Sequence, residues 1–218
     1  IICDEKNKED VTHIAKKLDV LVETLNYNST GSIIDKANSL SEFFQTVTRS
    51  KDDLAALLYT SGTTGKSKGA MLTQTNLLSN GNALMNEWKF TKNDVLLHAL
   101  PLFHTHGLFV ATNVMLSAGG SMIFLPKFNL DDIIKNLPKS STMMGVPTFY
   151  TRLLADNRIN KKLVNHMRLF VSGSAPLLSE THLQFEKITG HRILERYGMT
   201  ETNMNTSNPY TGERRAGT

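Results

Sequence analysis

Short apolar runs alternate with amphipathic segments along most of the 218-residue chain. The short runs are typical of buried strands, and the amphipathic segments place apolar residues three and four positions apart, as on one face of a helix. Residues 8–18 show the helical pattern, with Ile14 and Leu18 on one face between two apolar runs. The alternation predicts an α/β fold with layered parallel-type sheets covered by helices. We predict strands at 1–4, 20–24, 54–59, 69–72, 95–100, 121–125, 142–146, 168–172 and 192–197, and helices at 8–18, 41–47, 108–118, 130–137, 147–154 and 179–189.

Local signals mark several helix ends. Thr73 is a good N-cap residue for a further helix whose apolar stripe ends at Trp88. Pro147 suits a first helical turn, and Gly190 suits the position after a helix. Residues 26–39 are rich in Asn, Ser, Gly and Lys, which predicts a connecting loop.

Residues 59–69 combine glycines, hydroxyl side chains and two lysines between two apolar segments. Such a donor-rich, cationic backbone loop is suited to polyphosphate, so we expect an ATP-binding turn between two strands. Gly65-Lys66-Ser67 matches the end of a Walker A element, but that motif requires a glycine where Thr60 stands. The P-loop interpretation is therefore rejected, and a flexible surface turn is the remaining alternative.

Composition narrows the function classes. The chain is 40% hydrophobic and 20% charged, enough to bury a large core as one domain or part of one. Its net charge of +4 comes from basic residues scattered among acids, so we expect no nucleic-acid partner. No apolar run reaches the roughly 20 residues that cross a bilayer, so we expect no membrane partner. With the single Cys3, this predicts a cytoplasmic protein, and the strand-like start and abrupt end indicate a fragment.

Three segments rich in glycine or polar residues follow predicted strands, at 101–107, 172–176 and 197–201. In an open α/β sheet, ligands bind where loops leave the carboxyl ends of the strands. We therefore expect these segments to face one crevice. A zinc site at His104 and His106 is not expected, because no carboxylate or thiolate lies at suitable spacing.

These segments, together with residues 59–69, resemble the adenylate-forming superfamily, which includes acyl-CoA synthetases, firefly luciferase and peptide-synthetase adenylation domains. The motifs are Leu-Pro-Leu-Phe-His-Thr-His-Gly at 100–107, Ser-Gly-Ser-Ala-Pro at 172–176 and Tyr-Gly-Met-Thr-Glu at 197–201, in the family's order and approximate spacing. The similarity extends from about residue 50 onward, and residues 98–210 resemble malonyl-CoA synthetases within the family. It implies that residues 1–218 are part of the N-terminal AMP-binding domain, with the domain's start and a C-terminal lid domain outside them.

The resemblance implies a two-step ligase. ATP and a carboxylate give an acyl-adenylate and pyrophosphate, and CoA then takes the acyl group. Catalysis in such a reaction depends on alignment and on neutralising negative charge. ATP, Mg²⁺ and CoA are the implied cofactor and co-substrates, and little activity is expected from residues 1–218 alone. The alternatives are a ligase for another short or medium acid, and a non-catalytic nucleotide-binding fragment.

The resemblance also implies roles for site residues. Glu201 would hold Mg²⁺, Thr200 would bind the α-phosphate, and Tyr197 would stack on adenine. His106 would gate the carboxylate site, whereas His98 and His104 are packing or supporting residues. The implied catalytic residues are His106, Thr200, Glu201 and Lys66, and the implied ATP and AMP contacts are Thr60, Ser61, Gly62, Thr63, Thr64, Gly65, Lys68, Gly173, Ser174, Ala175, Pro176, Tyr197, Gly198 and Met199.

Two departures from the commoner family pattern point to the substrate. Ser174 and Arg196 stand where relatives often have glycine. A guanidinium in a closed cavity is costly without an anion, but it binds a second carboxylate bidentately. This predicts malonate as the acid, with methylmalonate second; the alternative is that Arg196 pairs with Glu195 or Glu186. The expected carboxylate site consists of Arg196, Ser174, His106, Thr105 and Met204.

Overall fold

The computed structural model describes residues 1–61 and 65–217. The chain forms two compact units, one at Ile1–Thr48 and the other beginning at Arg49. Among the helices in these ranges, none combines the length and apolar character that crossing a bilayer requires.

The first unit has the predicted β-α-β order. It contains β1 (Ile2–Cys3), α1 (Lys8–Lys16), β2 (Glu23–Thr24) and α2 (Ser32–Ala37). The two strands pair in parallel, so the predicted arrangement is confirmed, although both strands are shorter than expected. The predicted loop at 26–39 contains α2, which is a correction.

The helix predicted at 41–47 does not form, and these residues have no regular secondary structure. Phe43 and Phe44 are 84% and 78% exposed, so the apolar side chains that suggested a helix have no core to pack against. Short helices depend on such packing for most of their stability, which explains the error.

The second unit begins with an antiparallel hairpin and continues into a six-stranded sheet. The hairpin consists of β3 (Leu54–Thr60) and β4 (Lys68–Thr73), so the predicted turn between two strands is confirmed. The following elements are α3 (Gln74–Glu87), β5 (Val95–His98), α4 (Asn113–Ala118), β6 (Ser121–Phe124), α5 (Leu130–Asn136), β7 (Thr142–Gly145), α6 (Pro147–Leu154), α7 (Lys161–Val164), β8 (Leu169–Ser172), α8 (Ser179–Thr189), β9 (Leu194–Met199) and β10 (Asn203–Ser207).

The sheet has the strand order β10-β9-β8-β7-β5-β6. Its five strands from β9 to β6 are parallel, which confirms the predicted fold class, and β10 is antiparallel to β9. Neither α7 nor β10 was predicted. Because β5, β7, β8 and β9 run in the same direction, the loops that follow them leave from one edge of the sheet.

Helix α3 begins at a capping box formed by Thr73 and Asn76 and ends at Trp88. Its buried stripe includes Gly81 and Leu84, and Trp88 is completely buried, whereas Leu78 is exposed and lies outside the stripe. The Trp88 indole donates to the Ser207 hydroxyl over 2.9 Å, which joins the end of α3 to β10.

An ion pair closes the opposite edge of the sheet. Arg168, before β8, donates to both carboxylate oxygens of Asp94, before β5, over 2.6 and 2.8 Å. Ser141, before β7, donates to the same carboxylate over 2.8 Å. Burial opposes ionisation of Asp94, but the hydrogen bonds from Arg168, the Thr91 amide and Ser141 outweigh it and lower the pKa of this carboxyl. The starts of three strands are thereby held together.

The helix predicted at 108–118 begins earlier, as a π-helix at His106–Thr112 that continues into α4. The carbonyl of Gly107 accepts the Thr112 hydroxyl over 2.9 Å and lies 3.0 Å from His98 Nε2. A Cβ on Gly107 would lie 2.2 Å from the Pro101 carbonyl oxygen, so the turn into the helix leaves no room for a side chain there. Single π turns are frequent at functional sites.

Candidate active site

The loops at the carboxyl ends of the strands surround a cavity of about 550 Å³. This volume lies within the range of about 300–1,000 Å³ that is usual for small-molecule sites. The segments at 101–107, 172–176 and 197–201 all contribute to it, so the expected common crevice is present. The predicted site residues that line it are Thr60, Thr105, His106, Ser174, Arg196, Gly198, Met199, Thr200, Glu201 and Met204.

A second cavity of about 380 Å³ lies beside the first. Ser174, Arg196 and Gly198 line both. The other predicted residues on its wall are Ala175, Pro176 and Tyr197. Tyr197 is 59% exposed and lines this cavity, so its side chain is accessible to a ligand. Two adjoining cavities that are both lined by Arg196 can hold the two halves of an elongated ligand.

Arg196 lies on β9 and is only 6% exposed. Its Nε and Nη2 are buried and have no hydrogen-bond partner in the part of the chain that the structure describes. Burial lowers the pKa of this guanidinium to about 10, so it stays charged at neutral pH. A buried cation with unused donors is costly, and an anionic ligand in the cavity offsets that cost.

The alternative in which a protein acid neutralises Arg196 is not realised among the described residues. Glu195 lies 3.2 Å from Nδ1 of His182 and accepts the Gly217 amide over 3.1 Å. Glu186 accepts from Arg192 over 2.7 Å. Both carboxylates that the sequence offered as partners are thus engaged elsewhere.

His106 enters the cavity from the first turn of the π-helix and is 5% exposed. Burial, followed by the charges of Arg196 and His98, holds its pKa well below the usual range, so the ring is neutral at pH 7. Its Nδ1 lies 3.2 Å from the Ser174 hydroxyl, and its Nε2 is buried without a partner among the described residues. When Ser174 donates to Nδ1, Nε2 carries the proton and is a free donor.

Ser174 has a φ of 71°, in the left-handed region that favours glycine. A glycine would adopt this conformation without strain, whereas a serine is strained in it. In return, the serine hydroxyl contacts His106 and fixes the orientation of the ring. Ser174 therefore positions His106 in the cavity that Arg196 also lines.

The hairpin of β9 and β10 carries Thr200 and Glu201. Asn80 of α3 holds it in position: its Nδ2 donates to the Met204 carbonyl over 2.9 Å, and its Oδ1 accepts the Met204 amide over 3.3 Å. Glu201 makes no ion pair with any described residue, so its carboxylate remains available at the cavity wall. Asn80 was not predicted, because a single amide on a helix carries no sequence signal for a contact 124 residues away.

Several predicted residues do not line either cavity. Ser61, Gly65, Lys66 and Lys68 are exposed on or beside the hairpin, and Gly62, Thr63 and Thr64 lie outside the described residues. Gly173 also lines neither cavity and lies against Arg196 instead. His104 lines the larger cavity, whereas His98 is buried against the π-helix.

Residues 1–218 match a family described as AMP-binding enzyme. The malonate–CoA ligase of Arabidopsis thaliana is 39% identical over 211 residues, which cover 88% of this chain and 35% of that protein. The chain thus spans about a third of the length of this curated relative.

Solved structures of related ligases are also similar to the chain, over nearly all of its length. ATP-bound MatB from Rhodopseudomonas palustris has a TM-score of 0.96 at 58% identity, covering 99% of this chain and 43% of that one. A malonyl-CoA ligase product complex with methylmalonyl-CoA and AMP has a TM-score of 0.78 at 35% identity, covering 96% of this chain and 48% of that one. The resemblance inferred from the motifs is therefore confirmed, and the chain belongs to the AMP-binding enzyme family.

Proposed function

We propose that the protein containing this chain is an AMP-forming acid–thiol ligase that joins malonate to CoA at the expense of ATP. The observation that carries the choice of malonate is the buried, charged Arg196, which has no anionic partner among the described residues. Malonate is short enough for the cavity and presents a second carboxylate to this guanidinium. Similarity to a malonate–CoA ligase and to MatB supports the same substrate class.

The two carboxylates of malonate have different tasks. One pairs with Arg196, and the other faces the nucleotide near His106, whose neutral ring donates a hydrogen bond without abstracting a proton. An oxygen of this second carboxylate attacks the α-phosphorus of ATP, forming the acyl–phosphate bond as the bond to pyrophosphate breaks. In the second step the CoA sulfur attacks the acyl carbon, the bond to AMP breaks, and the thiol proton leaves to solvent.

Charge control is the main contribution of the protein in this scheme. Thr200 at the cavity wall donates to the α-phosphate, and the lysines of the loop at residues 59–69 neutralise the leaving pyrophosphate. Tyr197 and the small residues of 174–176, which line the second cavity, accommodate the adenine.

Glu201 is the proposed Mg²⁺ ligand. The described residues contain no group of three His, Cys, Asp or Glu side chains that could hold a metal alone. One free carboxylate at the wall of a phosphate site fits Mg²⁺, which keeps several waters and takes most other ligands from the nucleotide. When bound, the ion neutralises phosphate charge.

We also propose that residues 1–218 are part of the larger N-terminal domain, and that a smaller C-terminal domain completes the site. The coverage of 43% of the MatB chain supports this arrangement. Methylmalonate is the proposed second substrate, because Thr105 and Met204 line the cavity and leave limited room for a branch. A cytoplasmic location is proposed from the single cysteine, and imaging of a tagged protein tests it.

The test is a panel of carboxylates given to the complete protein, with CoA-dependent AMP release as the readout. We expect malonate to give the highest kcat/KM, methylmalonate to follow, and acetate, butyrate and octanoate to react at least about 100-fold less efficiently. Preference for a monocarboxylate would favour the alternative of another acyl-CoA ligase. ATP binding without AMP release for any acid would favour a non-catalytic nucleotide-binding protein.

A further inference from the structure

Gly173 lies directly against the guanidinium of Arg196. A Cβ built on Gly173 would lie 2.3 Å from both Cζ and Nε of Arg196 and 2.6 Å from Nη1. These distances are far inside van der Waals contact, which lies at about 3.5–4.0 Å between carbon atoms. The arginine therefore occupies the space that a side chain at residue 173 would need.

Backbone conformation does not explain the glycine. Gly173 is absent from the described glycines with positive φ, so its backbone is one that alanine also adopts. Contact with a ligand does not explain it either, because Gly173 lines neither cavity. The three atoms nearest to a Cβ built at this position all belong to the guanidinium of Arg196.

We propose that Gly173 is a specificity-determining position, which acts by seating the Arg196 guanidinium where it meets the second carboxylate of the substrate. This inference rests on the proposed function. Arg196 is the flexible side chain of the pair and borders a cavity of about 550 Å³, so a methyl group at 173 moves the guanidinium into that space. The fold is kept, and the anion-binding geometry is lost.

The size of the effect follows from the clash. Restoring ordinary contact requires the guanidinium to move by more than about 1 Å, and a misplacement of this size costs about 100-fold in a site that depends on alignment. Gly173→Ala should therefore lower kcat/KM for malonate by about 100-fold, mainly through KM, with KM for ATP changed less than about threefold.

The test compares Gly173→Ala in the complete protein with and without Arg196→Gly. Where Arg196 is absent, the added methyl group has nothing to displace, so butyrate turnover by the Arg196→Gly protein should change less than about threefold on adding Gly173→Ala. Gly81→Ala is the matched control, because a Cβ at Gly81 meets its nearest neighbour at 3.6 Å and fits. Equal losses in both backgrounds, or an equal rise in KM for ATP, would overturn the inference.

Failure of the proposed function gives a different result. If Arg196→Gly leaves malonate turnover intact, Arg196 does not recognise malonate. The effect of Gly173 on the position of the guanidinium is then tested by a crystal structure of the Gly173→Ala protein. A guanidinium displaced by more than about 1 Å would support the role of Gly173 in positioning it. An unmoved guanidinium would overturn it.

Discussion

Removing the charge of Arg196 should stabilise the protein that has no substrate bound. Burial lowers the pKa of this guanidinium from its ordinary value to about 10, which corresponds to about 3 kcal/mol of cost for holding the charged form in the fold. The sign follows because the folded state binds the proton less tightly than the unfolded state, so the cost is present in full below pH 10. Arg196→Met keeps most of the side-chain volume and removes both the charge and the unpaired donors.

The expected gain is about 1–3 kcal/mol in the free energy of unfolding, since a methionine repacks the site imperfectly. Equilibrium urea unfolding of the complete protein at pH 7.5 measures it. Malonate added at about 100 times its dissociation constant should stabilise the unmodified protein by about 2.7 kcal/mol and the variant by much less. Arg192→Met is the control, because Arg192 is exposed and paired with Glu186, and we expect a change below about 0.5 kcal/mol.

A loss of stability in Arg196→Met, with the control unchanged, would show that the charged guanidinium does not destabilise the empty protein. It would mean that the empty protein already satisfies the guanidinium, and that no ligand carboxylate is needed there. Equal stabilisation of both proteins by malonate would refute the proposed contact in a second, independent way.

Two further predictions concern the buried titratable groups of the fold. Asp94→Asn removes a buried carboxylate that pairs with the partly buried Arg168, so we expect a loss of about 2–4 kcal/mol in the free energy of unfolding by urea. Asp131→Asn, at an exposed ion pair, should cost less than about 1 kcal/mol. Comparable losses in the two variants would contradict the stabilising role of the Asp94–Arg168 pair. Burial lowers the pKa values of His98 and His106, so below pH 6.5 the unfolded state binds more protons than the folded state. The free energy of unfolding should therefore fall by up to about 1.4 kcal/mol per pH unit for each histidine as the pH drops from 6.5. Unfolding measured from pH 7 to pH 5.5 tests this, His106→Gln should flatten the profile, and a flat profile in the unmodified protein would contradict it.

The sequence predicted those elements whose ends are set by neighbouring residues in the chain. The helix at Ser179–Thr189 has the predicted ends, because Gly190 adopts a φ of 79° and ends it as a left-handed residue. The common crevice was also predictable, since parallel strands direct their following loops to one edge. Arg196 could be singled out in the sequence, because it directly precedes the Tyr-Gly-Met-Thr-Glu motif at 197–201.

The remaining features depend on contacts between distant residues. The segment at 41–47 has an amphipathic sequence but no packing surface in the structure, so no helix forms there. Strand β10 is held by Asn80 and Trp88 of α3, neither of which marks a strand in sequence. The reason for glycine at 173 lies with a side chain 23 residues later and becomes apparent only when both are placed in space.

The central claim is that Arg196 recognises the second carboxylate of the substrate. Its most direct test is kcat/KM of the complete protein for malonate and for butyrate, with and without Arg196→Gly. We predict that the substitution lowers the value for malonate by about 100-fold or more and leaves the value for butyrate unchanged or higher. An unchanged kcat/KM for malonate in the Arg196→Gly protein would show that Arg196 does not recognise the second carboxylate.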